Sequence, residues 1–245
     1  MWTASELASE LGAWRGTVWR VVEAQHRIST NRLAGSLAEQ EQLERLAEAV
    51  KPELPPAARG LHYLLAAPFR YGHRQASRFR RADERPGIFY ASEAEATALA
   101  EAAYWRLKFF SRSPGFVPPT TTSEHSSFSV RVASSLALDL TRPPFAGKRA
   151  QWTDPDDYSA CQDLAREARL ARTELIRTIS ARDPEPRCNI VVLEPAAFAA
   201  TVPRMGRTWH LRCEAGRLVA LAAFPSAETV VFTAEAFGLP AFPRR

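Results

Sequence analysis

The chain has 245 residues, of which 46% are hydrophobic and 24% charged, and its formal net charge is +5. This composition is typical of a folded globular protein and excludes an intrinsically disordered chain. The length fits one domain over 1–245, no stretch approaches the roughly 20 apolar residues of a membrane span, and the N-terminus lacks a signal-peptide segment, so we expect a cytoplasmic protein.

The first fifth of the chain predicts two helices and a strand. A short capped helix is expected over 3–11, and the β-branched run 17–22 is typical of a strand. The run 34–50 has apolar residues near helical spacing and stops before Pro52, which predicts a helix with one apolar face. The residues of that face are Leu37, Leu43, Leu46 and Val50.

The clearest helix is expected over 93–110, a stretch rich in alanine and other good helix formers. Ser92 and Glu95 fit the S-x-x-E capping box at its start. A turn at Gly87 and a short strand over 88–90 come before it.

Beyond this helix the sequence alternates loops, strands and one further helix. We predict loops over 111–127 and 143–157, strands over 129–137 and 175–179, and a helix over 157–172. Several short strands separated by Gly, Pro and Ala follow in the last third of the chain. The mixture predicts an α+β fold with a central set of mostly short strands.

Glu101 is the first candidate functional residue. Ala98, Glu101 and Trp105 share one face of the predicted helix, so this carboxylate lies on an otherwise apolar stripe. A buried carboxylate is costly unless it is paired, and such groups are common at functional sites. The alternative is that Glu101 lies at the edge of the face and reaches water.

Arginines supply most of the positive charge, since the chain has only three lysines. Five arginines within twelve residues precede the strand over 88–90, and they are either solvated surface charges or the lining of a phosphate pocket. The five are Arg70, Arg74, Arg78, Arg80 and Arg81.

Cysteines and histidines do not predict a metal site or a disulfide framework. The three cysteines lack CxxC spacing, and we expect small buried or half-buried thiols. The five histidines are isolated in sequence, and the chain has neither a GxGxxG nor a GxxxxGK[ST] motif.

Nucleic-acid binding is a second class of function, because the isoelectric point is about 9.4 and aromatic residues adjoin basic residues over 78–81 and 104–110. The positive charge is not gathered into a basic arm, however, and those aromatic residues are more simply explained as core.

The order of motifs resembles the RES domain, a family of bacterial toxins that consume NAD. The resemblance rests on Arg78-Phe79, on Tyr90 at the end of a strand, and on Glu101 eleven residues later in an alanine-rich helix. The early run 18–22 resembles the family's first strand. The segment 176–195 resembles the one that carries the family's serine.

The resemblance implies a fold related to ADP-ribosyltransferases, with NAD as substrate, no cofactor and cleavage of the nicotinamide–ribose bond. By this resemblance Glu101 contacts the ribose, Arg20 and Arg78 hold the pyrophosphate or an incoming phosphate, and Tyr90 orients the nicotinamide ribose. Ser180 would hydrogen-bond the ligand.

Several points within the resemblance stay open. The family serine is Ser180, with Arg182 and Asn189 nearby; Asn189 is a further ligand-binding candidate, and the segment 32–60 is a helical insertion. The candidates for the family arginine are Arg20, Arg70, Arg78 and Arg80.

The resemblance also implies an Xre-type helix-turn-helix antitoxin as the partner. The chain would contact nucleic acid only indirectly, through this antitoxin. The basic surface over 70–85 is suited to an acidic segment of such a partner. The acceptor of ADP-ribose is phosphate, water or a protein side chain.

The third class of function is an interaction module without catalytic activity.

Overall fold

The computed structural model describes residues 2–23, 33–112, 122–214 and 216–240. These ranges contain both α-helices and β-strands, which confirms the predicted α+β fold. The α-helices are α1 (Ala4–Ser9), α2 (Leu37–Ala49), α3 (Tyr63–Arg70), α4 (Glu95–Ser111), α5 (Arg149–Trp152) and α6 (Ser159–Leu170). The strands are β1 (Gly12–Glu23), β2 (Phe89–Ser92), β3 (Ser123–Asp139), β4 (Leu175–Ile179), β5 (Cys188–Val192), β6 (Arg204–Glu214), β7 (Arg217–Ala222) and β8 (Thr229–Thr233).

The strands form one sheet in the order β1-β2-β5-β4-β3-β6-β7-β8, and β1 also pairs with β3. Strands β1, β2, β5, β4 and β3 therefore close into a ring, from which β6, β7 and β8 continue. Most pairs are antiparallel, but β3 and β4 are parallel. The β1–β2 contact consists of one register pair, Trp19 with Ser92, whereas β1 pairs with β3 along nearly its whole length.

Helix α4 is held against the sheet by an apolar cluster. Its Leu99 and Leu107 are buried and pack with Trp209, Leu211 and Leu218 of the β6–β7 hairpin. Each buried leucine contributes about 1.5–3 kcal/mol relative to an exposed one. The helix that carries Glu101 is thus rigidly placed.

The start of α4 differs from the predicted capping box. Ala94 is the N-cap and makes no side-chain cap hydrogen bond. Ser92 belongs to β2 and donates to Asn189, while Glu95 accepts hydrogen bonds from Arg207 and Trp209. The capping-box prediction was wrong because partners distant in sequence take both side chains.

The predicted helix over 34–50 is confirmed as α2, with Ser36 as its N-cap. Its apolar face, however, is not buried: Leu37 is 78% exposed, Leu46 58% and Val50 84%. The inward-facing residue is polar, since Gln40 is buried. Helical periodicity correctly predicted that this segment is a helix. It was wrong about which side of the helix is buried.

Two predicted loops contain regular structure. Strand β3 begins at Ser123, inside the predicted loop over 111–127, and the rest of that loop over 113–121 lies outside the described residues. The loop over 143–157 contains α5. Helix α3 continues through Pro68 and ends at Arg70.

Gly87 allows α3 to approach β2 closely. A Cβ atom at this position would lie 2.0 Å from the carbonyl oxygen of Pro68 and 2.7 Å from that of Tyr71. Any side chain would therefore displace backbone on one side of the sheet.

The thiols match their prediction. Cys161 and Cys188 are buried and Cys213 is half-buried, and all three are free. Burial raises the pKa of Cys161 and Cys213 to about 11 and also raises that of Cys188, so none is activated for nucleophilic chemistry.

No helix among the described residues is long and apolar enough to cross a membrane.

Candidate active site

A cavity of about 620 Å³ opens beside the single residue pair that joins β1 to β2. Its walls come from β1, β2, β5, α4 and the segment 73–80. Six residues predicted for the site line it: Arg20, Arg78, Arg80, Tyr90, Glu101 and Asn189. Residues that are distant in sequence, such as Arg20 and Asn189, thus meet because the strand order places β1, β2 and β5 side by side.

Glu101 is held by a chain of hydrogen bonds across the sheet. Its Oε1 atom accepts from Ser180 Oγ at 2.7 Å and from Asn189 Nδ2 at 2.5 Å. Ser92 Oγ donates in turn to Asn189 Oδ1 at 2.7 Å. The serine thereby fixes which end of the amide faces the carboxylate.

Ser180 is oriented as strictly as Asn189. Its Oγ accepts the backbone N–H groups of Arg182 and Asp183 at 3.1 and 3.0 Å, so its own proton points to Glu101. Both donors meet the same carboxylate oxygen. Among the described residues, no hydrogen bond reaches Glu101 Oε2, which leaves that oxygen available to a ligand.

Tyr90 is anchored rather than free. Its hydroxyl accepts from the backbone N–H of Phe79 at 3.0 Å and lies 2.8 Å from Ser77 Oγ. Burial raises the pKa of Tyr90 to about 12, so the hydroxyl stays protonated at neutral pH. Tyr90 therefore ties the segment 73–80 to the sheet while its ring faces the cavity.

Arg20 has the opposite character. Its guanidinium lies over the ring of Phe89, 5.0 Å from the centroid, and its Nη1 atom is buried without a hydrogen-bond partner among the described residues. Burial lowers the pKa of Arg20 to about 10, so the group remains charged at neutral pH. A buried cation without an acceptor is costly, and an anionic ligand would remove that cost.

The other predicted arginines have structural contacts. Arg80 donates to the carbonyl oxygens of His73, Gln75 and Arg81 and so closes the segment 73–80 on itself. Arg78 Nη1 donates to the carbonyl oxygens of Trp152 and Ile179, both at 3.1 Å.

Arg70 is not brought to the cavity. Its guanidinium lies 2.6 Å from Glu48 and donates to the carbonyl oxygen of Pro52. An acid on α2, 22 positions earlier, binds this arginine, so it serves to attach α2 to α3.

Sequence reasoning missed several residues of the cavity wall. Trp19, His73, Trp105 and Tyr158 line it, and so does Arg182, which the sequence placed only near the serine. Burial, with smaller effects from the nearby Arg80 and Arg20 charges, lowers the pKa of His73, so this ring is neutral. Trp105 was detectable, because it lies one helical turn from Glu101 on the same face.

Within the described ranges, no group of three or more His, Cys, Asp or Glu side chains is arranged to hold a metal ion. His26 lies outside those ranges. The chemical groups that line the cavity include a carboxylate, arginines and hydroxyl groups.

Comparison with known proteins identifies the family of the chain. The chain is similar to a chain of the crystal structure of the M. tuberculosis MbcT–MbcA toxin–antitoxin complex, with 14% identity, 85% of this chain and 91% of that chain covered, and a TM-score of 0.47. No curated protein matches the sequence. The RES domain family matches residues 54–214, which hold Tyr90, Glu101, Ser180 and Asn189. Because this match spans well over half of the sequence, the chain belongs to the RES domain family, as its motifs predict.

Proposed function

We propose that this protein is a toxin that degrades NAD by cleaving the bond between nicotinamide and ribose. The observation that carries the proposal is Glu101, which lines the cavity. Its Oε1 is fixed by two donors, and its Oε2 has no hydrogen-bond partner in the part of the chain that the structure describes. The cavity volume of about 620 Å³ lies within the range of small-molecule sites. Membership of the RES family supplies the substrate class.

The reaction asks for negative charge beside the ribose. When the C–N bond breaks, its electron pair leaves with the pyridinium ring, nicotinamide departs neutral, and the ribose acquires oxocarbenium character. Glu101 Oε2 would accept hydrogen bonds from the ribose hydroxyls and stabilise that charge. The leaving group needs no proton, so the Tyr90 hydroxyl, whose pKa is raised to about 12, is not required as a general acid.

The phosphates of NAD ask for positive charge at a second place. The guanidinium of Arg20 is charged, and its buried Nη1 atom has no hydrogen-bond partner among the described residues, so we assign Arg20 to the pyrophosphate. Of the four candidates for the family arginine, Arg20 is the best suited. Arg78 borders the same space with one nitrogen already committed to carbonyl groups.

We further propose that a protein inhibitor binds this toxin and that the toxin acts in the cytoplasm. RES toxins are expected to pair with an Xre-type antitoxin, and we propose that an acidic segment of such a partner covers the basic cavity mouth. The toxin would act in the cytoplasm, where its substrate is found, and would meet nucleic acid only through the antitoxin.

The experiment is a nicotinamide-release assay on purified protein with NAD, in the presence and absence of inorganic phosphate. Glu101→Gln keeps the shape of the side chain and removes its charge, and we expect the rate to fall about 100- to 1,000-fold. Glu10→Gln, at an exposed position, is the matched control. Cleavage by Glu101→Gln at the wild-type rate would contradict the role given to the carboxylate.

The same assay separates the acceptors. Phosphate-dependent release with ADP-ribose 1-phosphate as product indicates a phosphorylase, and phosphate-independent release of ADP-ribose indicates a glycohydrolase. Incorporation of ADP-ribose into protein would identify a protein ADP-ribosyltransferase instead. If wild-type protein releases no nicotinamide and is retained on DNA in a salt-dependent manner, the proposal is wrong and a nucleic-acid-binding role replaces it.

A further inference from the structure

Two further cations have no part in the steps above: Arg182 lines the cavity, and Lys108 contacts the same tyrosine ring as Arg182. The ring of Tyr104 carries two positive side chains: Arg182 Cζ lies 3.7 Å from its centroid and Lys108 Nζ lies 5.3 Å from it. Tyr158 completes the group through its hydroxyl. We call Tyr104, Lys108, Tyr158 and Arg182 the tyrosine cluster.

Neither cation of the tyrosine cluster is neutralised. Lys108 and Arg182 form no ion pair within 4.0 Å of any carboxylate in the described part of the chain. Asp154 and Asp156 are near enough to influence Arg182 and Tyr104 electrostatically, but they lie outside that distance. Two like charges on one ring repel each other, and an anion between them would turn repulsion into attraction.

The cluster offers donors and few acceptors. Lys108 Nζ donates once, to Tyr104 Oη at 2.8 Å, and keeps two N–H groups. Arg182 uses Nη2 for the carbonyl oxygen of Pro155 and for Tyr158 Oη, at 2.9 and 3.1 Å. The Tyr158 oxygen accepts that bond, and the Tyr158 hydroxyl is also hydrogen-bonded to Tyr104, so Tyr158 links Arg182 to the Tyr104 side chain.

The position of the tyrosine cluster links it to the reacting carboxylate. Glu101, Tyr104 and Lys108 are spaced by three and four residues and therefore lie on one stripe of α4. Tyr158 and Arg182 line the same cavity as Glu101. An anion at the cluster would thus lie beside the ribose site, on the side given by the C-terminal half of α4.

We propose that Lys108 and Arg182 form a phosphate-binding subsite, with Tyr104 and Tyr158 holding the two cations in place. A phosphate group matches it because phosphate presents several acceptor oxygens to convergent donors. Resting on the proposed function, the occupant is either inorganic phosphate as the acceptor of ADP-ribose or a phosphate group of NAD itself. The two sources share this chemistry and are separated by experiment.

The test measures binding without turnover, by calorimetric titration of the full chain with inorganic phosphate and, separately, with ADP-ribose. Lys108→Gln removes one charge from a half-buried side chain, and Lys108→Arg retains it. Lys51→Gln is the matched control, since Lys51 is exposed and pairs with Glu48. Loss of one charged contact should weaken binding about tenfold.

Weaker phosphate binding in Lys108→Gln, with ADP-ribose affinity unchanged and Lys51→Gln like wild type, supports a subsite for free phosphate. Weaker ADP-ribose binding in Lys108→Gln supports a subsite for the phosphates of NAD. If Lys108→Gln binds both compounds like wild type, or wild type binds neither, the subsite does not exist. Because no step requires NAD cleavage, an inactive enzyme would refute the proposed function and leave this test intact.

Discussion

Helices α2 and α4 both have apolar residues at helical spacing, yet they expose them differently. Leu99 and Leu107 of α4 are 1% and 0% exposed, whereas Leu46 of α2 is 58% exposed. Helix α4 packs on β1 and on the β6–β7 hairpin, while α2 is attached to α3 through Glu48 and Arg70. An apolar stripe thus predicts a helix, but the surface that receives the stripe decides whether it stabilises the fold.

The largest expected effect tests this contrast directly. Leu99→Ala should destabilise the protein by about 2–5 kcal/mol, because it removes a fully buried side chain and leaves a cavity. Leu46→Ala removes the same atoms from an exposed position and should change the free energy of unfolding by less than about 0.5 kcal/mol. Denaturant unfolding of both variants gives the comparison, and equal losses would mean that α2 is as well packed as α4.

A second prediction concerns how the sheet positions the chemistry of α4. Ser92→Ala removes the donor that orients the Asn189 amide toward Glu101, so kcat for NAD cleavage should fall about tenfold with KM unchanged. Ser92→Thr keeps the hydroxyl and should restore most of the rate. A fall that Ser92→Thr fails to rescue, or a change in KM alone, would argue that Ser92 acts through packing.

The smallest effect compares acids in the first turns of the two helices. Glu95 of α4 is paired with Arg207 on β6, and Glu39 of α2 accepts a local hydrogen bond from Gly35. Glu95→Gln should cost about 1 kcal/mol in the free energy of unfolding, and Glu39→Gln less than about half of that.

The pH dependence of this difference follows from the ion pair of Glu95. Burial alone would raise the pKa of Glu95, but hydrogen bonds from Arg207, Ser127 and Trp209 outweigh burial and lower it from its ordinary value of 4.5. The stabilisation is therefore complete above pH 4.5 and is lost as the pH falls through the lowered pKa. Unfolding curves of wild type and Glu95→Gln should converge in acid, and a gap that widens there would refute the assignment.

The residues of the candidate site were predictable in type more than in contact. Resemblance to the RES domain identified Tyr90, Glu101, Ser180 and Asn189, and the structure brings these four together. The resemblance did not show which of the candidate arginines binds the ligand. Arg80 donates to carbonyl groups of residues 73, 75 and 81, whereas Arg20 Nη1 has no hydrogen-bond partner among the residues that the structure describes.

The sequence by itself determined the features that depend on neighbours a few residues away. These are the helical spacing of α2 and α4, the Thr3 cap of α1, the β-branched run of β1 and the eleven-residue step from Tyr90 to Glu101.

Tertiary structure alone decided which side of α2 faces water and why Ser92 donates to Asn189 instead of capping α4. It also decided that Arg20, of the candidate arginines, has a buried nitrogen without a hydrogen-bond partner in the described ranges. The physical reason is range. Backbone conformation responds to local sterics and hydrogen bonds, whereas burial and charge pairing depend on strands and helices that only folding places side by side.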